Sequence, residues 1–544
     1  MKVTRIFRNP ILPGFYPDPS ICRVGEDYYL VTSTFEYFPG LPIFHSRDLI
    51  NWRQIGHALD RPSQLNLDGV MASRGLYAPT IRHHAPSGEG DGRFYITNTL
   101  VSSAYDTLLN DGVHERNFIV TAEDPAGPWS EPYWLEGAPG IDPSLFFDTD
   151  GAPSGEGVAW YTGNRVPPGG PAYPHHKEIW LQELDLKTMQ LTGPRVSLWD
   201  GAVKGNLEVE APHIYKKDGY YYLLVAEGGT EHHHAVTIAR SRSISGPYAG
   251  NPRNPLLTHR NLGLDHPIAC TGHAELVETQ NGEWWMALLA TRPYGGYFYN
   301  LGRETFLVPV IWEYGWPIVS PGIGRVEFEH HAPDLPAHPW PPAPARDDFD
   351  DPELAYQWNF LRTPREEFYN LSERPGFLRL KLRPEKLSEL ANPSFVGRRQ
   401  QHINFCAQAA LEFRPANVSE CAGLVLLQNN DFHFRFVITR GADGGQVVRL
   451  IKREAGADTI LAERPVADSE QFFKVQAQGQ AYSFYIAEQA GKWQPVAEDV
   501  DGRILSTNIA GGFVGAYIGM YASSNGQVSA NSADFDWFEY SSSD

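Results

Sequence analysis

Five short openings recur through the first 330 residues at intervals of roughly 60 to 70 residues. They are Asp18-Pro19-Ser20-Ile21, Tyr77-Ala78-Pro79-Thr80-Ile81, Ile141-Asp142-Pro143-Ser144-Leu145, Glu210-Ala211-Pro212-His213-Ile214 and His273-Ala274-Glu275-Leu276. Aligning Pro19, Pro79, Pro143, Pro212 and Ala274 puts Ile21, Ile81, Leu145, Ile214 and Leu276 in register. Most openings run into short strand-like segments set off by turns, such as Asp218-Gly219 before Tyr220-Tyr221-Tyr222 and Asn281-Gly282 before Trp284-Trp285. Self-similarity at this period, with several short strands per unit, is the pattern of a propeller, a ring that leaves only short, protected strand edges. The expected fold is all-β, beginning with a five-bladed β-propeller over residues 1–330.

In a propeller the first strand of each blade usually lies innermost, so residues at or just before the aligned positions crowd one end of the axis. Asp18 and Asp142 stand immediately before their prolines, Glu210 stands two before, blade two offers Tyr77 and Ala78, and blade five offers His273. A single Asp-Pro pair is ordinary turn chemistry. Three acids in register instead predict one concave, acidic site. Glu208 competes with Glu210, because side chains two apart on a strand share a face. The register favours Glu210 and places Glu208 roughly 7 Å farther out along an extended chain, so substitution of Glu208 is expected to be mild.

Composition narrows the partners. Aromatic residues make up 12% of the 544, with 51 Gly and 43 Pro, which suits aromatic strands and many turns better than helices. A formal net charge of -20 repels a phosphate backbone and an anionic membrane, leaving a neutral small substrate as the better fit. Cys22, Cys270, Cys406 and Cys421 are scattered without CxxC spacing and are expected as reduced thiols. Met1 to Pro10 contain no apolar run of signal-peptide length, so a cytoplasmic protein is expected, or a secreted one whose leader has been removed. Residues 331–346 are proline-rich and read as a stiff linker. From residue 347 to 544, alternating segments such as His433-Phe434-Arg435-Phe436-Val437-Ile438 predict a β-sandwich, without a Gly-rich phosphate loop or a nucleophile elbow.

Asn9-Pro10-Ile11-Leu12-Pro13-Gly14-Phe15-Tyr16-Pro17-Asp18-Pro19-Ser20, Ser46-Arg47-Asp48-Leu49 with Trp52, Ile141-Asp142-Pro143-Ser144, Glu210-Ala211-Pro212-His213 and Leu301-Gly302-Arg303-Glu304-Thr305 together resemble glycoside hydrolase family 43. The likeness spans nearly the whole chain and is greatest to the β-xylosidase and α-L-arabinofuranosidase members. It implies a C-terminal sandwich of jelly-roll, concanavalin-like type that reaches the active-site pocket. It also implies Asp18 as general base, Glu210 as general acid and Asp142 as the group that orients Glu210 and adjusts its pKa. Such a set matches the chemistry: one carboxyl stays protonated to meet the leaving oxygen while another stays ionised on the far face of the sugar. The family inverts, so Asp18 should activate a water.

The same resemblance implies that Arg303 binds sugar hydroxyls and could hold Asp18 or Asp142 ionised, with a structural ion pair to Glu304 or another acid as the alternative. Phe35 and Tyr77 become stacking platforms, although this chain has Leu76-Tyr77-Ala78-Pro79 where many xylosidases of the family have Trp-Ala-Pro. Phe513 is expected to close the pocket from the sandwich. His273 is a candidate ligand for Ca2+ or another divalent cation, no cofactor being required for the chemistry itself. Glu231-His232-His233-His234 reads as a rim loop, with His234 as the substrate neighbour.

The expected activity is release of terminal xylose from β-1,4-xylo-oligosaccharides by an exo-acting, inverting enzyme. The alternatives are α-L-arabinofuranosidase as the main activity, or a carbohydrate-binding propeller without catalysis. A fructosidase-type enzyme is disfavoured because its Trp-Met-Asn-Asp-Pro opening and Glu-Cys acid motif are missing from residues 1–330. The implied partner is a short xylo- or arabinoxylo-oligosaccharide, with a homo-oligomer left open.

Overall fold

The computed structural model describes residues 5–85, 92–102, 115–149, 157–202 and 208–543. The first four residues, Asp91, Asn206 and Leu207, all used in reading the sequence, lie outside the described residues. Five antiparallel sheets of four main strands follow one another along the chain. Their first strands are Ser20–Val24, Thr80–His84, Ser144–Asp148, Val209–Lys217 and Ala269–Glu278. Each begins at or near an aligned opening, and Ile21, Ile81, Leu145, Ile214 and Leu276 are all buried. Each first strand neighbours the first strand of the next blade, and the fifth neighbours the first, so the five sheets form a closed ring.

Position in the blade decides how a strand reads in sequence. The first strand of blade five, Ala269–Glu278, is buried along nearly its whole length because blades pack against both its faces. The outermost strand of blade three, Gln190–Trp199, is largely exposed or half-buried. Its weak pattern, like the two-residue outer strands Tyr133–Trp134 and Ala249–Gly250, offers little period to detect.

The ring is fastened by the N-terminal segment. Ile6–Arg8 pairs with Glu329–His331. Asn9 donates through Nδ2 to the Leu307 carbonyl at 2.9 Å and accepts the Leu307 N–H at 2.9 Å. Leu12 bridges Thr305 on the third strand of blade five.

Along the axis, the residues just after the aligned positions build a polar floor that the sequence reading missed. Glu275 accepts Ser20 Oγ at 2.6 Å and the Ile21 N–H at 2.9 Å through Oε2, and its Oε1 lies 2.5 Å from Arg82 Nη1. Arg82 also donates to the Leu145 carbonyl at 3.1 Å, to Ser144 Oγ at 3.3 Å and to His213 Nδ1 at 3.2 Å. Ser144 Oγ lies 3.1 Å from the same His213 nitrogen. Every blade thus contributes a side chain: Ser20, Arg82, Ser144, His213 and Glu275. A buried charge needs a partner and hydrogen bonds to offset its desolvation, and Arg82 and Glu275 supply both to each other.

From Ala332 to Ala345 the chain carries no regular element. Arg346–Asp347 then joins the first of two sheets. That sheet includes Leu378–Lys381, Ser532–Ser542, Phe405–Glu412, Gln471–Gln478, Ala481–Ala487 and Gln494–Asp501. The second runs Ser394–Arg399, Tyr517–Ser523, Cys421–Asn429, Phe432–Arg440, Gln446–Glu454 and Ala457–Pro465. Inward rings meet between the sheets, as where Phe436 meets Phe473 at 5.0 Å edge-on.

The sandwich is joined to the propeller by backbone as well as side chains. Tyr37–Phe38 of blade one pairs with Phe360–Leu361. Arg399, buried, donates to the Phe15 carbonyl at 2.6 Å and to Asn359 Oδ1 at 2.7 Å. Gly515 lies against Leu301, where an added Cβ would fall 2.5 Å from the Leu301 carbonyl oxygen. The two domains therefore touch through backbone at this point, beside Arg303. All four cysteines are free thiols.

Candidate active site

The residue just before each aligned position has a left-handed backbone in four blades: Asp18 at φ 54°, Asp142 at 54°, Ala211 at 50° and His273 at 44°. Asp and His are among the non-glycine residues that tolerate this region best, yet each such residue still costs on the order of 1 kcal/mol. The bend turns the chain from the rim into the blade and aims the side chain across the axis. In blade four the bend falls on Ala211, so the acidic residue comes one place earlier, at Glu210. Val209, beside it, is buried in the apolar cluster between blades three and four.

These side chains line one cavity of about 490 Å³. Asp18, Asp142, Glu210, Arg303, Phe35, Tyr77, Phe513 and His273 all face it, as do Glu208, Thr230, His232 and His233. His234, expected as the substrate neighbour, is not among the lining residues. It closes a turn through its N–H to the Glu231 carbonyl at 3.0 Å. Its ring packs inward, with Nδ1 3.1 Å from the Cys270 carbonyl oxygen, and burial pushes its pKa down to about 3. His232 and His233 take the place on the wall.

The three acids have different electrostatic surroundings. Asp18 Oδ1 lies 2.7 Å from Arg303 Nη1, Oδ2 accepts the Ser33 hydroxyl at 2.6 Å, and His273 Nδ1 stands 3.7 Å away. Burial alone would raise the Asp18 carboxyl, but Arg303, His273 and Ser33 together hold it below its ordinary value. Asp142 is pushed well above the carboxylate range by burial and then by Asp18 and Glu208. Glu210 is pushed well above it by burial, then by Asp142, and by the charge and hydrogen bond of Glu208. These surroundings favour the ionised form of Asp18, and in the Asp142–Glu210 pair they disfavour two negative charges at once.

Arg303 is fixed on several sides. Besides Asp18 it donates to Thr230 Oγ1 at 3.0 Å and to the Phe513 carbonyl at 3.3 Å. The Glu304 alternative fails because Glu304 receives Arg292 at 2.7 and 2.8 Å and the Gly14 N–H at 2.7 Å.

Opposite the acids stands an apolar wall. Phe35 meets Tyr77 at 5.3 Å and Phe513 at 6.0 Å, and Tyr77 meets Phe513 edge-on at 6.2 Å. Phe513 is the sandwich residue that lines the cavity. Its N–H donates to Ser73 Oγ at 2.8 Å, and the Ser73 N–H donates to Glu36 Oε2 at 2.9 Å. Burial pushes the Glu36 carboxyl up to about 7.

His273 lines the cavity with its Nδ1 3.7 Å from Asp18 Oδ1, and that carboxylate also meets Arg303 and Ser33. Among the described residues no group of three or more His, Cys, Asp or Glu side chains is arranged to hold a metal ion.

Comparison with known proteins agrees over both domains. Residues 7–317 match glycosyl hydrolases family 43, and residues 346–541 match the β-xylosidase C-terminal concanavalin A-like domain. A xylosidase/arabinosidase from Butyrivibrio fibrisolvens is 48% identical over 98% of this chain and 99% of its own. A non-reducing end α-L-arabinofuranosidase from Bacteroides ovatus is 41% identical over 98% of this chain and 95% of its own. Among solved structures, a xylan β-1,4-xylosidase from Bacillus halodurans superposes with a TM-score of 0.90 at 39% identity, covering 98% of this chain and 99% of that one.

Proposed function

The chain belongs to glycosyl hydrolases family 43, and from that membership we propose that it releases terminal xylose from short β-1,4-xylo-oligosaccharides with inversion at the anomeric carbon. The observation that carries the reading is the opposite displacement of Asp18 and Glu210 within one cavity. In this mechanism Glu210 gives its proton to the glycosidic oxygen as the C1–O bond breaks. Asp18 takes a proton from a water whose oxygen bonds to C1 from the opposite face. Asp142 keeps the Glu210 proton in place at neutral pH through like-charge repulsion. Solvent exchange then returns Asp18 to its anion and Glu210 to its acid.

The aromatic wall takes the apolar face of the sugar, Arg303 takes hydroxyls, and Phe513 limits the depth of chain that enters. A second reading, α-L-arabinofuranosidase as the main activity, is favoured by the arabinose-directed names of two relatives. Calcium or another divalent cation near His273 is the further part of this reading, tested by chelation followed by calcium repletion: unchanged rate and Tm would remove it.

The deciding experiment compares rates on aryl β-xylopyranoside and aryl α-L-arabinofuranoside while proton NMR follows the first-formed sugar. The expected outcome is a higher rate on the xyloside with α-xylose appearing first. β-Xylose appearing first would remove the inverting mechanism, and a higher rate on the arabinofuranoside would establish the second reading.

A further inference from the structure

Glu208 stands at the cavity wall on the outward side of Glu210, where the departing part of a substrate must lie if Glu210 is the proton donor. Its backbone has φ 34°, and Val209 between the two glutamates turns into the blade core, so both carboxyl groups face the cavity. Glu208 and Glu210 are joined by a side-chain hydrogen bond. Two carboxyl groups can share such a bond only while one of them carries a proton. On its outer side Glu208 Oε1 lies 3.6 Å from Nδ1 of His175, a half-exposed lining residue. The Glu208 side chain is itself 19% exposed, so it contacts both the buried acid and the open mouth.

We propose that Glu208 is a positioning residue for the proton donor: it holds the Glu210 carboxyl toward the leaving oxygen and accepts a hydroxyl of the departing sugar. The proposal rests on the general-acid reading of Glu210. It replaces the expectation that Glu208 is an inconsequential rim charge. The ionisable groups facing it are Glu210, Asp142 and Glu115, with His175, Lys177, Tyr173, Asp200 and Glu227 around an adjoining recess.

Two kinds of substrate separate this role from a structural one. With xylobiose the leaving group needs both a proton and a binding surface; with an aryl xyloside carrying an activated phenol it needs neither. Glu208→Gln removes the charge at nearly constant shape. Expected for xylobiose are a kcat loss of about tenfold, smaller than the roughly 10²–10⁴ ascribed to the general acid itself, a raised KM, and a basic limb of kcat/KM moved to lower pH. The sign follows from removing an anion that raises the Glu210 proton affinity. For the activated aryl xyloside, kcat and KM should stay within about twofold, since that departure draws little on general-acid catalysis. The Gln variant should melt at or above the wild-type temperature, and Glu208→Asp, which keeps the charge, should restore most of the pH limb.

A wild-type pH limb in Glu208→Gln, or equal losses on both substrates, would overturn the proposal. Glu210→Gln run in parallel separates the premises: if it too shows no preference for the activated substrate, the general-acid reading has failed. If it shows that preference while Glu208→Gln does not, only the role of Glu208 has failed.

Discussion

Two residues along most of the first strands separate the pocket layer from the axial floor, and both layers point toward the same axis. In the pocket layer, Asp142 and Glu210 face other carboxyl groups, and the left-handed backbone stays strained at Asp18, Asp142, Ala211 and His273. In the floor, Ser144, His213 and Glu275 converge on Arg82, Ser20 donates to Glu275, and that buried anion thus meets a guanidinium and two further donors. Asp18 belongs by position to the first layer and by pairing to the second, since Arg303 and Ser33 neutralise it. Burial is nearly the same in both layers. What differs is whether opposite or like charge is brought to meet the carboxylate, and that choice turns one layer into a proton store and the other into a fastening.

The sharpest way to break this contrast is a matched pair of charge removals. Glu210→Gln should lose on the order of 10² or more in rate on oligosaccharides, with far less loss on activated aryl glycosides and no fall in Tm. Glu275→Gln strips a buried guanidinium of its partner and should lose about 3–5 kcal/mol of stability, read by urea unfolding. A Glu275→Gln protein with wild-type stability would end the distinction between the layers.

Next in size is a difference in the sign of the pH dependence. Burial, then Arg82 and His273, hold the His213 proton affinity well below the imidazole range. Its contribution is therefore complete above the unfolded value of about 6.5 and is lost as pH falls and the unfolded chain takes up a proton. Asp142 behaves the opposite way. Its folded value is raised, so its contribution is complete below the unfolded value of about 3.9 and is lost as pH rises. His213→Gln should flatten the acid side of a Tm–pH curve, and Asp142→Asn should lift the neutral-to-alkaline side by a few degrees, a shift that about 1 kcal/mol produces. The smallest effect is expected from Ser144→Ala, which removes one hydroxyl from the floor. It should lower stability by about 1 kcal/mol and leave kcat unchanged.

The pocket layer was legible in sequence because proline marks the start of four of the five inner strands and the acids stand one or two residues before it. The floor was equally regular, with Ser20, Ser144, His213 and Glu275 each following an aligned position, but a polar residue at a strand start looks ordinary until neighbouring blades are placed around it. Outer strands such as Gln190–Trp199 escaped notice because one exposed side leaves no clear alternation. His234 was misplaced because four consecutive residues from Glu231 give no sign of which ones a turn directs inward. The role proposed for Glu208 turns on contact between two carboxyl groups, which distance along a strand does not report.

Phe513 has a consequence for the order in which the protein is made. Synthesis proceeds from the N-terminus, and domains tend to fold as they emerge. The acids of the pocket are available once blade four is complete, and the ring can shut when Glu329–His331 reaches Ile6–Arg8. The wall facing those acids still lacks the ring that meets Phe35 and Tyr77, which arrives some 180 residues later. A nascent or prematurely terminated chain can thus carry every acid and a closed propeller while its sugar-binding surface remains unfinished, so translation must run past Phe513 before the pocket is whole.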